Sequence, residues 1–173
     1  MTRIYTRSGD QGASGLANGE RLSKVDLLFE AIGDIDELNA QIGMMRALNG
    51  DKQIDQQLSQ VQHKLFDLGA QVAQYKGNNI DGRDVDVLEQ WIDGWQEQLQ
   101  PLKQFILPAG TQAGSAAHLA RSMCRRAERK AWQAGGTHDI ESEVMQYLNR
   151  LSDYLFVLAR VLNGGNEVFW QSE

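Results

Sequence analysis

The sequence predicts an all-α fold: a five-helix bundle preceded by a glycine-rich N-terminal arm. Three observations carry this. Five long stretches repeat apolar residues at helical spacing, and no stretch of useful length alternates as a strand would. The two prolines, Pro101 and Pro108, fall together in one connector, which leaves long proline-free regions for helices. A chain of 173 residues fits one domain over 1–173 with a core large enough to stand alone. Its parts are an arm over 1–24, the five helices within 25–163 and a tail over 164–173.

The arm reads as an irregular loop over 3–24. Gly9, Gly12, Gly15 and Gly19 recur at short intervals, with Thr6, Ser8 and Ser14 between them. Glycines admit positive φ and bring backbone N–H groups close to a ligand. With the hydroxyls and Arg7 or Lys24 they make an anion cradle. No GK[ST] follows, so this is not a Walker A loop, and no strand–turn–helix pattern frames it as a dinucleotide fingerprint. The competing reading is a plain N-terminal tail.

The first helix is predicted over 25–48, with Leu28, Ile32, Ile35, Leu38 or Asn39, Ile42 and Met45 inward. Gly33 and Gly43 inside it mark close helix contacts, and Asp34, Asp36 and Glu37 put acid on another face. Asn49-Gly50-Asp51 separates it from a second helix over 52–74, striped by Ile54, Leu58, Val61, Leu65, Leu68 and Val72. After a turn-rich loop over 75–83, a third helix over 84–99 turns Val87, Leu88, Trp91, Ile92 and Trp95 inward. A connector over 100–114 leads to the fourth helix, which Gly135-Gly136 stops. The fifth runs over 140–162 on Val144, Tyr147 or Leu148, Leu151, Leu155, Leu158 and Leu162. Asn149 beside that stripe is either a hydrogen-bonded core residue or a base or ribose contact.

The fourth helix carries the chemistry. Ala116, Leu119, Ala120, Met123, Cys124, Ala127 and Ala131 make an apolar face of mostly small residues, which lets another helix approach closely. His118, Arg121, Arg125, Glu128 and Arg129 share the opposite face. Arg121, Arg125, Arg126, Arg129 and Lys130 against Glu128 make 121–130 net +4 in a protein of net charge −6. Guanidinium forks match phosphate oxygens and keep their charge. The arm is a second basic island, at net +2 over 1–24. Two such islands in an acidic chain are expected to meet around one anion. A solvated, salt-bridged face is the alternative.

Several classes are excluded. The net acidity argues against nucleic acid, an RNA-binding helix built on the arginines included. No apolar run approaches the ~20 residues of a membrane span, and the start MTRIYTRSGDQG has no signal-like apolar segment. The single cysteine, Cys124, suits a reducing cytoplasm and reads as core rather than nucleophile. His63, His118 and His138 lack metal-ligand spacing, and there is no HExxH, CxxC or Glu-x-x-His.

Four blocks in order, YTRSGDQGASGL (5–16), GERLSK with FEAIGDIDELNAQIG (19–43), FILPAGTQ through HLARSMCRRAER (105–129) and YLNRLSDYLFVLAR (147–160), resemble the PduO-type ATP:cob(I)alamin adenosyltransferases. The resemblance spans nearly the whole chain, and RRAER followed by NRLSD in one all-helical chain is its most specific feature. It implies a five-helix bundle assembled as a homotrimer, with sites between neighbouring subunits and the arm closing over ATP. It assigns the triphosphate wrap to Thr6, Arg7, Ser8, Gly9, Ser14 and Gly15, joined by Lys24. It assigns ATP binding to Arg125, Arg126, Glu128, Arg129 and Asn149. It pairs Asp36 with Arg121 across the subunit interface and sets Phe105 beside the corrin. Ser8 and Ser14 stand where threonine is common and keep the hydroxyl. Ala109 replaces a second glycine, and Ala117 a usual leucine.

The implied reaction moves the 5′-deoxyadenosyl group of ATP to the cobalt of cob(I)alamin and releases triphosphate, with Mg²⁺ helping. Arg125, Glu128 and Phe105 carry it. The resemblance further implies that the lower axial ligand of Co(II) cobalamin is removed to ease its reduction. A Co(II) reductase and a B12-dependent enzyme are the implied partners. The competing function is a non-catalytic nucleotide-sensing or protein-binding bundle of the same fold.

Overall fold

Acidic and hydroxyl side chains set where the helices begin. In the computed structural model, which describes residues 4–77 and 79–171, five helices follow one another. They are α1 (Leu27–Leu48), α2 (Lys52–Val72), α3 (Gly82–Gln96), α4 (Gln112–Gly135) and α5 (Ser142–Leu162). Arg3 of the basic arm, Asn78 of the 75–83 loop and the last two residues of the tail lie outside the described residues. Asp26 and Asp51 cap α1 and α2 by accepting backbone N–H bonds. Asp81 and Asp84 form a capping box, which starts α3 two residues before the predicted position. Thr111 caps α4 by accepting from the Gly114 N–H at 3.0 Å, so α4 begins inside the predicted connector.

The bundle is built outward from α4, which packs on α1 and α5; α2 covers α1, and α3 covers α5. The predicted stripes of α1, α2 and α5 are buried apart from Ile32 and Leu162, which are half-buried. At the centre Gln57 Oε1 accepts from Trp95 Nε1 and from the Tyr154 hydroxyl, both at 3.0 Å, tying α2, α3 and α5 together. A buried polar group that satisfies two partners fixes one packing arrangement.

Some expectations are corrected. The arm is not wholly irregular: β1 (Ala13–Gly15) and β2 (Arg21–Ser23) pair antiparallel, with Ser14 opposite Leu22. Three residues per strand are too few for alternation to register in a sequence. Val87 and Leu119 are exposed, because each lies at the margin of a stripe that its neighbours complete. Gly33 meets no neighbour, whereas a Cβ on Gly43 would lie 3.2 Å from Gln62, so only Gly43 marks a close contact.

Cys124 is fully buried, as its place on the small-residue face predicts, and donates to the Leu148 carbonyl at 3.1 Å. Burial pushes its thiol well above the ordinary range. Cys124→Ala is expected to keep turnover while losing about 1–2 kcal/mol of stability to a small cavity and a lost weak bond. Thermal melts beside an activity assay check this. An inactive but folded variant would make the thiol functional.

Candidate functional site

The arm's turn is built by its own hydroxyls and glycines. Thr6 and Ser8 join hydroxyl to hydroxyl at 2.7 Å, and Arg7 sits between them at φ +62°. Arg21 Nη2 donates to the carbonyls of Ser8 at 2.8 Å and Ala13 at 3.2 Å, closing the turn onto the hairpin. Gly9 lies under Lys24: an added Cβ would stand 3.1 Å from Nζ. Gly12, at φ +80°, accepts from the Lys24 N–H through its carbonyl at 2.8 Å. Thr6, Arg7, Ser8, Gly9 and Lys24 therefore gather at one turn, and Ser14 and Gly15 follow on β1. The arm docks through buried Leu16 and the Ala17 N–H, which donates to Ala73 at the end of α2.

The cations of α4 divide into two sets. Arg126 binds Asp34 through Nε at 3.1 Å and Glu37 through Nη2, and Lys130 binds Glu30 at 3.1 Å. The acid side of α1 takes up these two. Arg125 and Arg129 are exposed and have no carboxylate partner among the described residues; Arg129 Nη1 donates to the Arg125 carbonyl at 3.0 Å. The Cys124–Leu148 bond sets α4 against α5 in register, bringing the turns with Arg125 and Asn149 alongside each other. Asn149 is exposed, which removes the buried-core reading and leaves it available to a ligand. Glu128 is half-buried on the same side of α4.

One turn earlier lies a less expected arrangement. His118, placed by sequence on the polar face, is only 3% exposed, and both its ring nitrogens lack partners among the described residues. Its ring meets Phe156 edge-on at 6.2 Å. Burial, then the neighbouring Arg121 charge, hold its pKa below the usual histidine value. Arg121 is half-buried with an unpartnered Nε, and burial, then Arg125, lower its pKa.

Arg121 and Phe156 line a cleft of ≈ 550 Å³ with Leu102, Ile106 and Phe105. Phe105 is 80% exposed, so the core reading open to a phenylalanine does not hold here. The cleft joins apolar walls to two cations, Arg121 and Lys103, a pairing that suits a large flat ligand with polar edges. Sequence reasoning missed the segment 168–170, which pairs with the Phe105 stretch. The only signal there is the short run Val168-Phe169-Trp170.

No hydrogen bond or ion pair among the described residues joins the arm to the α4 arginines. Asp36 is exposed on α1, beside a groove of ≈ 440 Å³ lined by Phe29, Ile32 and the exposed Phe66.

The cobalamin adenosyltransferase family profile matches residues 4–162. A corrinoid adenosyltransferase of Mycobacterium leprae is 42% identical over 184 residues, covering 99% of this chain and 96% of the relative. A cobalamin adenosyltransferase of Cupriavidus metallidurans is 41% identical over 177 residues, covering 100% and 96%. Among solved structures, a phenylalanine-to-alanine variant of a PduO-type ATP:corrinoid adenosyltransferase from Lactobacillus reuteri, complexed with cobalamin and ATP, superposes with a TM-score of 0.92. It is 32% identical, covering 98% of this chain and 100% of that one.

Proposed function

This chain belongs to the cobalamin adenosyltransferase family, and from that premise we infer that it transfers the 5′-deoxyadenosyl group of ATP to the cobalt of a Co(I) corrinoid. Adenosylcobalamin forms and triphosphate leaves. The Co(I) electron pair attacks the ribose C5′; the cobalt–carbon bond forms as the C5′–oxygen bond breaks, and the triphosphate departs with that bond's electrons. No protein nucleophile is needed, which agrees with a lone cysteine held buried and protonated.

The observation that supports this assignment of residues is the division of charge on α4. Arg126 and Lys130 are engaged by α1, while Arg125 and Arg129 have no acidic partner among the described residues. An anion with the charge of triphosphate supplies what they lack. Thr6, Arg7, Ser8, Gly9, Ser14, Gly15 and Lys24 wrap the phosphates, Asn149 meets the nucleoside, and Glu128 orients an arginine or the ribose. Arg126 acts from behind, holding α4 on α1. Phe105 and Arg121 face the corrin. Mg²⁺ enters as a companion of the triphosphate, whose charge it offsets.

The working unit in this reading is a homotrimer. It would let the arm of one subunit reach the arginines of the next. Asp36 then pairs with the neighbour's Arg121. Asp36→Asn is expected to weaken assembly and activity together. Sedimentation of the unaltered protein as a stable monomer at assay concentration would rule the trimer out. The single thiol suits a cytoplasmic setting, and no helix among the described residues is long and apolar enough to cross a membrane. A reductase that supplies Co(I) and an enzyme that consumes adenosylcobalamin are the partners this chemistry requires.

The deciding experiment mixes the protein, ATP and chemically reduced corrinoid and follows loss of the Co(I) spectrum with release of triphosphate. Binding of both ligands with neither signal would make the chain a nucleotide-sensing bundle instead.

A further inference from the structure

The connector that carries Phe105 is held at both ends by the end of α5 and along its middle by the segment that follows. Arg160 Nη2 donates to the Gln100 carbonyl at 2.7 Å, at the connector's start. At its finish, buried Asn163 accepts from the Thr111 N–H at 2.9 Å and donates to the Ala109 carbonyl at 2.9 Å. Gly110 is pressed against Asn163: a Cβ there would lie 2.3 Å from Oδ1, and its φ of +123° already excludes most side chains. Gly164 and Gly165, at φ +62° and +72°, then reverse the chain. The returning segment pairs antiparallel with the connector at Ile106 and Phe169. Leu107 donates to the Val168 carbonyl at 2.7 Å, and Trp170 donates to the Phe105 carbonyl at 2.8 Å. At the root of this return, Arg160 Nε meets Glu167 at 2.7 Å, with side chains only 9% and 7% exposed.

The pair itself has a structural use that stability does not explain. A buried ion pair is weak evidence for stability, since desolvation offsets most of its attraction. The loop it braces ends in a side chain that is 80% exposed and adds little to the core. Such a brace makes sense if one loop conformation has to be specified. We propose that Arg160 and Glu167 are positioning residues for the corrinoid: they fix the returning segment, which holds the Phe105 backbone and so sets the wall of the corrin cleft. This rests on the adenosyltransferase reading given above.

Three variants test it. Glu167→Gln keeps the shape and removes the charge. Trp170→Pro removes the N–H that reaches Phe105, on a segment beyond the last helix where loss of fold is not at stake. Trp170→Ala keeps that N–H and reports on the ring alone. Glu167→Gln and Trp170→Pro are expected to speed amide exchange over 100–110 by about tenfold and to raise KM for the Co(II) corrinoid by about tenfold. KM for ATP and helix content should stay unchanged, and Trp170→Ala should show the smaller effects. Unchanged exchange over 100–110 in Trp170→Pro overturns the proposal. Faster exchange with an unaltered corrinoid KM also overturns it, leaving a brace with no catalytic consequence. A wild-type protein that fails to consume Co(I) with ATP removes the functional reading itself, and that result is seen before any variant is made.

Discussion

Replacing Arg125 with alanine is expected to cut kcat/KM by roughly 30- to 1,000-fold, a loss of about 2–4 kcal/mol of transition-state stabilisation. The guanidinium stands exposed on α4 with no acidic partner among the described residues, so its removal breaks no internal ion pair. The helix should therefore persist, and circular dichroism should match the wild type. The loss belongs to the charge that gathers on the departing triphosphate. Arg125→Lys should recover part of the rate but not all of it, because an ammonium lacks the planar fork. Arg126 offers the contrast within the same helix. Held by Asp34 and Glu37, it couples α4 to α1, so its removal should be felt first in the melting temperature. Near-normal kcat/KM in a folded Arg125→Ala protein would take Arg125 out of the site.

Phe105→Ala separates two starting points of the same reaction. At 80% exposure the ring contributes little to the core, so fold, assembly and ATP binding should survive its loss. Reaction from pre-reduced Co(I) corrinoid should be modestly slowed. Reaction from Co(II) should fall much further, by roughly tenfold to a hundredfold. The reasoning is chemical. The lower axial ligand stabilises Co(II) against reduction, and an apolar ring that occupies its place offers no donor atom and excludes water. The four-coordinate Co(II) spectral signal should fade in the same variant. Its persistence in folded Phe105→Ala would assign ligand displacement elsewhere. Equal losses from Co(I) and Co(II) would make Phe105 a binding wall only.

The two experiments probe different ends of one site, and the structure separates them cleanly. Arg125 and Arg129 lie where α4 runs beside α5, next to the turn that carries Asn149. Arg121 lies one turn nearer the helix start, and with Phe105 of the preceding connector it lines a cleft with apolar walls. Unpaired charge and an apolar-walled cleft are therefore held by one helix and the connector that leads into it.

The sequence by itself determined the five helices, their inward stripes and the dense positive charge of α4. These follow from local chemistry: apolar spacing, capping acids and the density of arginines within a single helix. Cys124 could be placed in the core for the same reason, as one small residue among alanines on a closely packed face. Three-residue strands in the arm were beyond that reach, since they exist only because the Leu16–Gly19 turn brings them together. The tertiary structure decided which arginines are free for a ligand. Arg125 and Arg126 are adjacent in sequence and alike in chemistry, and only the packing of α1 against α4 puts acids beside one and none beside the other. It likewise decided that His118 is buried, that Asn149 is open, and that Phe105 is exposed on a loop fastened by residues 55 to 65 positions beyond it. Each depends on which distant surface arrives opposite a side chain, a fact that spacing along the chain does not contain.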